Sequence, residues 1–350
     1  MTQNSLLLLD YYWRRWGKKT GDITYINNLA VISQIIKRPF PVLVVAPSQQ
    51  GKSTPLVEDI KPNWDKYVKW LGSDFTIHSL CGMDSDGVLQ DKTWIINDMT
   101  LLLSSKAERT QQRLINGLAE VLSEGYYEYS DRMTQKMKKI ECINVGKNGC
   151  NMILCITQRS FQKNEEKLIE NTFGNRLLKV FYSLTMVEQE ELYLTIQERS
   201  ELVYPKLKKI YEGIPKITKP IRKMILALAK TIYIHQMSTS LIKQAQILER
   251  VVLAQASLDN HKVVTEKDIE IVEKIIMTYV KDNDNAKRKL FDLWLEGTYK
   301  YYEISRIIER SISWIEKQVN EFKQSGIITT DLIKERDKKR LAYSGTLESL

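Results

Sequence analysis

A short stretch in the first third of the chain has the residue types needed to bind phosphate. It directly follows the apolar run 40–45 and reads Ala46-Pro47-Ser48-Gln49-Gln50-Gly51-Lys52-Ser53-Thr54. A P-loop needs a turn whose backbone N–H groups wrap the phosphates, a lysine for the β- and γ-oxygens, and a hydroxyl for Mg²⁺. Every part is present except the first glycine, which is replaced by Ala46. The stretch is therefore predicted to bind ATP, with Lys52 on the phosphates and Ser53 on Mg²⁺.

A carboxylate that could share the metal follows about 45 residues downstream. Asp98 comes directly after the apolar run 93–96, and a P-loop needs such an acid at the end of a neighbouring strand. The alternative is a helix N-cap, because an apolar helical run follows Asp98. The motif can be aligned in two registers. In the first, Asp98 holds Mg²⁺ and Met99 occupies the position of the water-activating acid. In the second, Asn97 occupies the position of the metal ligand and Asp98 orients water. In either register one expected carboxylate is missing.

The segments around these motifs follow an α/β pattern. Short apolar runs are typical of strands buried on both faces of a parallel sheet, and they occur at 40–45, 93–96 and 151–156. Helical patterns separate them, most clearly at 107–123. This alternation predicts an α/β core with a parallel sheet flanked by helices.

After residue 187 the strand signal disappears. Helical spacing of apolar residues runs through 187–204, 220–236, 240–258 and 265–280, and Thr265 with Asp268 suits a capped helix start. The charged stretch 281–285 indicates a linker. Helices are expected at 286–295, 301–309 and 313–325, with a β-wing opening at 326–330. The predicted domains are a polar helical extension at 1–38, a P-loop core at 39–186, an all-helical lid at 187–281 and a small winged-helix domain at 286–350.

Composition narrows the class of protein. The chain has 350 residues and a net charge of +9, which favours a polyanionic partner, either nucleic acid or an acidic membrane surface. No apolar run approaches the length needed to cross a bilayer, so a cytoplasmic location is expected. The four cysteines have no CxxC spacing and the three histidines lie far apart, so neither a zinc site nor a disulfide framework is expected.

The order of the motifs resembles an AAA+ ATPase module, in which a strand with a P-loop is followed by an acid-tipped strand and by a strand with a polar end. More specifically, the chain looks like the minichromosome-maintenance-like AAA+ ATPases of phages, plasmids and integrated mobile elements. The resemblance covers about residues 40–280 and rests on the stretches 97–104, 122–127 and 264–268 in this order. It implies ATP and Mg²⁺ as cofactors and a homo-oligomer, a hexameric ring.

The same resemblance implies roles for four further residues. Thr157, at the end of the third strand, would sense the γ-phosphate. Arg176, within Thr172-Phe173-Gly174-Asn175-Arg176, would be an arginine finger that acts on the neighbouring subunit's nucleotide. Lys243 or Arg250 would complete the site from the lid. The family has arginine at the position of Lys243, and a lysine there lacks the bidentate geometry of arginine.

Two regions are candidates for DNA binding. A hairpin expected at 126–145 would grip the phosphates through basic residues, namely Arg132, Lys136, Lys138, Lys139 and, at its exit, Lys147. The third helix of the winged-helix domain would place Ser313, Lys317 and Lys323 against DNA. The alternatives are a solvated hairpin and a protein-docking domain. The basic aromatic cluster at 11–19 fits DNA, a membrane or a protein partner equally well.

The sequence thus predicts an ATP-hydrolysing AAA+ ring protein that translocates on DNA, remodels it or loads proteins onto it for a mobile genetic element. The alternative is an ATP-gated DNA-binding scaffold or recruiter of a protein partner with little turnover, as in transposition or segregation. The missing second carboxylate favours the scaffold, and Arg176 with the basic hairpin favours the motor.

Overall fold

The computed structural model describes residues 3–71, 75, 79–80, 83, 89–104, 108–130, 140–144, 150–170, 173–194, 198–199, 201–236, 240–280, 286–324, 328 and 330–347. The chain divides into two compact units. The larger comprises Met1–Lys230 and Leu241–Val280, and the smaller comprises Thr231–Ser240 and Lys281–Leu350. Among the described helices, none has a stretch apolar and long enough to cross a membrane.

The larger unit is built on a five-stranded parallel sheet with a separate antiparallel hairpin. In chain order the strands are β1 (Val42–Ala46), β2 (Val68–Leu71), β3 (Thr93–Ile96), β4 (Tyr126–Ser130), β5 (Ile140–Asn144), β6 (Asn151–Thr157) and β7 (Leu178–Phe181). The sheet order is β2-β3-β6-β1-β7, and β4 pairs with β5. The predicted parallel sheet is confirmed. Strand β2 was not predicted, because its two middle residues are half-exposed and interrupt the apolar run.

Helices surround this sheet. They are α1 (Asn4–Ile35), α2 (Lys61–Trp64), α3 (Thr100–Ser104), α4 (Glu108–Glu124), α5 (Gln158–Glu170), α6 (Met186–Leu194), α7 (Lys219–Gln236), α8 (Leu241–Leu258) and α9 (Glu266–Tyr279). Thr265 and Asp268 form the expected capping box of α9. Of the helix predicted at 187–204, the described residues 186–194 and 198–199 are helical, whereas 201–218 is non-helical, consistent with Pro205, Gly213 and Pro215, which do not favour a helix.

Helix α1 does not have the polar character expected of the N-terminal extension. Most of its residues are buried, including Tyr12, Tyr25 and Ile26. Some of its polar side chains bond to distant segments of the unit: Asn4, for example, donates to the Leu258 carbonyl at 2.7 Å. The helix turns at Gly17, where φ is 69°. The apolar and aromatic residues of this segment therefore contribute to the core of the larger unit.

The described residues of the smaller unit form helices and their connections and include no strand. It contains α10 (Ala286–Glu296), α11 (Tyr301–Ile308), α12 (Ile312–Gln324) and α13 (Thr330–Leu347), around a core that includes Leu290, Trp294, Ile304 and Ile315. The three predicted helices are present, but α13 follows them instead of a β-wing. The sequence from Asp331 is rich in Lys, Glu and Arg, which favour helix over strand. Residues 326, 327 and 329 of the predicted wing opening lie outside the described residues.

Candidate phosphate-binding site

The predicted phosphate loop lies at the carboxyl end of β1. Ala46 is the last residue of this strand and pairs with Thr157 of β6, so it has the extended backbone that alanine adopts without strain. The loop then turns through two left-handed residues, Gln49 with φ 62° and Gly51 with φ 72°. Helical turns begin at Thr54 and continue as a π-helix over Leu56–Ile60. A helix that starts directly after the loop directs N–H groups and a positive dipole end toward a bound anion.

The Lys52 ammonium group lies inside this loop. Its Nζ donates to the Pro47 carbonyl at 2.8 Å and to the Ala46 carbonyl at 3.3 Å. Burial lowers the pKa of Lys52, and the nearby Cys155 and Asp98 oppose that shift. Because a partly desolvated cation gains from an added anion, this position suits a phosphate group that would replace the two carbonyls as acceptor.

Gln50 fixes the loop against the neighbouring strand segment. Its side chain accepts from the Leu184 N–H at 2.7 Å and donates to the Leu184 carbonyl at 3.3 Å. Its backbone carbonyl accepts from the Tyr182 hydroxyl at 2.9 Å. These contacts hold the loop beside the carboxyl end of β7.

Asp98 reaches the same edge of the sheet from the end of β3. Its Oδ1 accepts from the Thr100 N–H at 2.7 Å, so the predicted N-cap contact with α3 exists. Met99 is buried in the hydrophobic core, and its N–H donates to the Cys155 carbonyl at 2.8 Å. Met99 is thus withdrawn into the core, whereas Asn97 and Asp98 are both half-buried, so each of the two registers stays a prediction. The negative charge of Asp98 opposes the lowering of the Lys52 pKa by burial.

Thr157 lies between the loop and Asp98, because β6 separates β1 from β3. Its Oγ1 accepts from the Ser160 N–H at 3.3 Å and is 3.5 Å from the Thr100 Oγ1. The chain connection after β1 runs to β2 at one edge of the sheet, whereas the connection after its neighbour β6 runs to β7 at the other edge. Open α/β sheets bind ligands at the carboxyl ends of strands where the connections diverge in this way. The loop, Asp98 and Thr157 all lie there.

A cavity of about 430 Å³ adjoins the loop. Its walls include Gly51 and Thr54 from the loop, Arg15 and Trp16 from α1, and Leu192 and Tyr193 from α6. Pockets for small molecules are largely apolar with a few placed polar groups, and this cavity has that character. The contribution of α1 was missed from sequence, although the basic aromatic cluster at 11–19 was its visible signal.

A buried carboxylate connects α1 to the helix that follows the loop. Asp59, in the π-helix, accepts from the Tyr11 hydroxyl at 2.8 Å and from the Trp16 indole, and the Arg15 Nε lies 3.2 Å from it. Burial raises the pKa of Asp59, and these donors oppose that shift. Part of the aromatic cluster therefore packs inside the protein: Tyr11 and Tyr12 are buried, whereas Trp13 is 36% exposed.

The three other predicted catalytic residues lie together at the opposite edge of the sheet. Arg176, Lys243 and Arg250, here called the amino-edge basic cluster, line a cavity of about 180 Å³ that also includes Pro41 and Glu124. Pro41 lines this cavity at the start of β1, and Ala46 ends the same strand at the loop. The length of the extended strand therefore separates the cavity from the loop by about 16 Å. Within one chain Lys243 and Arg250 therefore lie away from the loop, and the expectation that one of them completes a nucleotide site stays a prediction.

Buried contacts hold this cluster in place. The Arg176 guanidinium donates to the Ala119 carbonyl, and Arg250 donates to the Pro39 carbonyl at 2.8 Å. Burial lowers the pKa of both arginines; Glu124 opposes the shift at Arg176, and the neighbouring Arg38 adds to it at Arg250. The two arginines are therefore partly desolvated cations, whereas Lys243 is exposed and Glu124 lines the same cavity.

Some of the residues predicted to contact DNA lie within the described part of the chain. The hairpin is confirmed as β4 and β5, but Arg132, Lys136, Lys138, Lys139 and Lys147 lie outside the described residues. In α12, Ser313, Lys317 and Lys323 are all exposed. At about 100° per residue, Ser313 and Lys317 lie about 40° apart around the helix and Lys323 lies about 120° from Lys317. The helix thus presents Ser313 and Lys317 on one face and Lys323 on another.

These features define an open parallel α/β sheet with a loop suited to binding an anion. The loop lies at the topological switch point, where the connections after neighbouring strands run in opposite directions. No protein-family model and no curated protein sequence matches the chain. Among solved structures, it is similar to a full-length MCM homologue from Methanopyrus kandleri, with a TM-score of 0.46 and 12% sequence identity. The alignment covers 78% of this chain and 58% of the homologue, so the chain spans less than two thirds of that protein's length.

Proposed function

We propose that this chain is an ATP-hydrolysing AAA+ ring protein that works on DNA. The observation that carries this proposal is the meeting of three groups at one sheet edge: the Lys52 ammonium inside a left-handed loop, Asp98, and Thr157. A loop of this shape at a topological switch point supports nucleotide phosphate binding, and the adjoining cavity of about 430 Å³ has room for a base.

Each residue has a role in this proposal. The N–H groups of the loop and Lys52 bind the phosphates, and Ser53 with Asp98 holds Mg²⁺. When bound, the metal would supply positive charge beside the phosphates. Thr157 contacts the γ-phosphate from the end of β6. Trp16 and Tyr193 border the base through their aromatic rings.

The amino-edge basic cluster acts on a different copy of the chain. Because Arg176, Lys243 and Arg250 lie about 16 Å from their own loop along β1, a neighbouring subunit is needed to bring them to a nucleotide. An arginine supplied in trans stabilises charge on the transferred phosphoryl group. This arrangement supports a homo-oligomer, for which we propose a hexamer, with nucleotides at the subunit interfaces.

DNA is the proposed substrate of the ring. The basic residues between β4 and β5, and Ser313 and Lys317 on one face of α12, would bind backbone phosphates with strong salt dependence. Nucleotide-driven motion would then translocate on DNA, remodel it or load partners onto it, in the service of a mobile element.

A second candidate is an ATP-gated DNA-binding scaffold with little turnover. The burial of Met99 favours it, because the residue after Asp98 supplies no acid to activate water. Under this alternative the protein binds ATP and DNA, but hydrolysis is slow and unaffected by DNA.

Steady-state ATPase activity with and without single- and double-stranded DNA tests the proposal. Lys52→Ala should weaken ATP binding about tenfold to 150-fold for each charge-assisted hydrogen bond lost and abolish turnover. The control Lys267→Ala, at an exposed lysine of α9, should behave as wild type. ATP binding without turnover would favour the scaffold, and absence of ATP binding in the wild type would refute the P-loop assignment.

Mixing tests the action in trans. Lys52→Ala and Arg176→Ala should each be inactive alone, and an equimolar mixture should recover activity, because mixed interfaces combine an intact loop with an intact Arg176. If Arg176→Ala alone keeps full activity, the arginine-finger assignment is wrong.

A further inference from the structure

The segment that leads into α7 concentrates positive charge. Residues 205–219, here called the basic strap, contain five lysines and one glutamate, a net charge of +4 in a chain whose net charge is +9. All five lysines are exposed, and they are Lys206, Lys208, Lys209, Lys216 and Lys219. A short segment thus holds nearly half of the excess charge of the whole chain.

The first half of the strap is bonded to two helices of the larger unit. The Asn4 side chain of α1 contacts both backbone groups of Lys208: its Oδ1 accepts from the N–H at 3.0 Å, and its Nδ2 donates to the carbonyl at 3.1 Å. The Tyr211 N–H donates to the Ser257 carbonyl of α8 at 2.9 Å. These bonds fix the backbone of the strap, although its residues up to 218 form no helix.

The second half of the strap pairs with the turn before α9. The Lys216 N–H donates to the Lys262 carbonyl at 2.9 Å, and the Val264 N–H donates to the Lys216 carbonyl at 3.0 Å. Lys262 is itself exposed. The pairing therefore adds a sixth lysine beside the strap.

The charges of the strap are not neutralised by the described part of the chain. No carboxylate there forms an ion pair with Lys206, Lys209, Lys216 or Lys219. Arg222, which follows in α7, lies 4.0 Å from Glu249 and has its own counter-charge. Because like charges on one surface repel each other, an added polyanion lowers the electrostatic energy of the strap.

The outer surface of the strap indicates which polyanion it fits. The apolar side chains of Leu207, Ile210 and Ile217 are half-buried, and Pro215 is buried. Within the strap, Ile214 is the one large apolar side chain that is exposed, at 44%. A segment that binds a membrane surface needs an apolar face to enter the lipid. A surface of lysines without such a face favours a nucleic-acid backbone in water.

We propose that the basic strap binds the phosphate backbone of duplex DNA through Lys206, Lys209, Lys216 and the neighbouring Lys262. This inference rests on the proposed function, because it takes DNA as the polyanion on which the protein works. From Lys206 to Lys216 the strap spans at most about 36 Å, which is about one turn of B-DNA. Lysine binds phosphate as a point charge, so the contact is independent of base sequence.

Removal of three strap charges tests this surface. The variant Lys206→Gln/Lys209→Gln/Lys216→Gln changes exposed side chains that do not line the cavity beside the phosphate loop. Urea unfolding and the binding of a fluorescent ATP analogue should therefore stay as in the wild type. In fluorescence anisotropy with a labelled DNA duplex, Kd at about 0.15 M salt should rise about tenfold or more. The slope of log K against log salt should become less steep by about 2–3, close to 0.9 for each lost contact.

A matched variant separates the strap from net charge alone. Lys61→Gln/Lys66→Gln/Lys274→Gln removes the same charge at exposed lysines outside the strap, and it should bind the duplex as the wild type does. Equal weakening by the two variants, or unchanged binding by the strap variant, would overturn the proposal. Strap-dependent binding to vesicles of anionic phospholipid without strap-dependent binding to DNA would overturn it in favour of a membrane surface.

Lysine acylation locates the contact directly. Bound duplex DNA should protect Lys206, Lys209 and Lys216 of the wild type from an N-hydroxysuccinimide ester, whereas Lys61 and Lys66 should stay reactive. Full reactivity of the strap lysines in the complex would overturn the proposal even if DNA binds. A wild type that binds the ATP analogue but no DNA would overturn the DNA role in the proposed function as well, so the two failures are distinguishable.

Discussion

Two residues of the phosphate loop provide a reciprocal test of its backbone. Gly51 and Gln49 both have left-handed φ, at 72° and 62°. A Cβ added at Gly51 would meet no atom within 4 Å, so Gly51→Ala should cost only backbone energy. That energy is about 1–2 kcal/mol for an L-residue, offset by about 0.5–1 kcal/mol because alanine restricts the unfolded chain. The expected loss in the free energy of unfolding is about 1 kcal/mol.

Gln49→Gly should show the same terms with opposite sign, a gain of up to about 1 kcal/mol. The double variant should lie near the wild type, and urea unfolding of all four proteins measures the cycle. If Gly51→Ala leaves the free energy of unfolding unchanged, or Gln49→Gly lowers it by about 1 kcal/mol, the loop does not have this backbone. A loss of ATP affinity beyond tenfold in folded Gly51→Ala would place the new Cβ where the phosphates bind.

Two other predictions concern the charged groups around the loop. Burial lowers the pKa of Lys52 below its ordinary 10.5, so ATP affinity should fall as the pH rises through that lowered pKa. The stability of the unliganded protein should rise over the same pH range, because the unfolded state keeps the proton to a higher pH. ATP affinity and the free energy of unfolding measured from about pH 7 to 10 test this, and Lys52→Arg should remove both trends. Asp59→Ala removes the buried acceptor of the Tyr11 hydroxyl and the Trp16 indole and leaves Arg15 paired with Glu58 alone, so it should lower the free energy of unfolding by about 2–4 kcal/mol. Asp10→Ala, in an exposed pair with Arg14, should cost less than about 1 kcal/mol; equal effects in urea unfolding would contradict a structural role for Asp59.

The sheet and the loop were predictable because each has a local signal. The strands at 93–96 and 151–157 are continuous apolar runs, and the P-loop pattern directly follows β1. Helix α9 has a complete capping box in Thr265 and Asp268. Local patterns of this kind depend on neighbours in the chain, so they survive without knowledge of the fold.

The features that were missed depend on contacts between distant segments. The aromatic cluster at 11–19 has the composition of a binding surface, yet Tyr11 and Trp16 are satisfied by Asp59, more than 40 residues away. Helix α13 replaces the expected wing, and its Arg336 packs 4.6 Å from the Trp294 ring. Nothing in the spacing of either segment reveals its partner.

The position of Arg176 follows from the direction of the strands. Thr157 ends β6 at the carboxyl edge, α5 runs back along the sheet, and β7 must therefore begin at the amino edge, where Arg176 precedes it. Any residue just before a strand of a parallel sheet lies at the amino edge, so it is separated by the strand's length from a site at the carboxyl ends. Lys243 and Arg250 lie beside Arg176, so three cations share this exclusion. A role for them in phosphate chemistry thus requires a second copy, whereas a purely structural role requires only the carbonyls of Ala119 and Pro39 that two of them already contact. Mixing inactive variants separates these two roles, because a structural defect in one copy is not repaired by another.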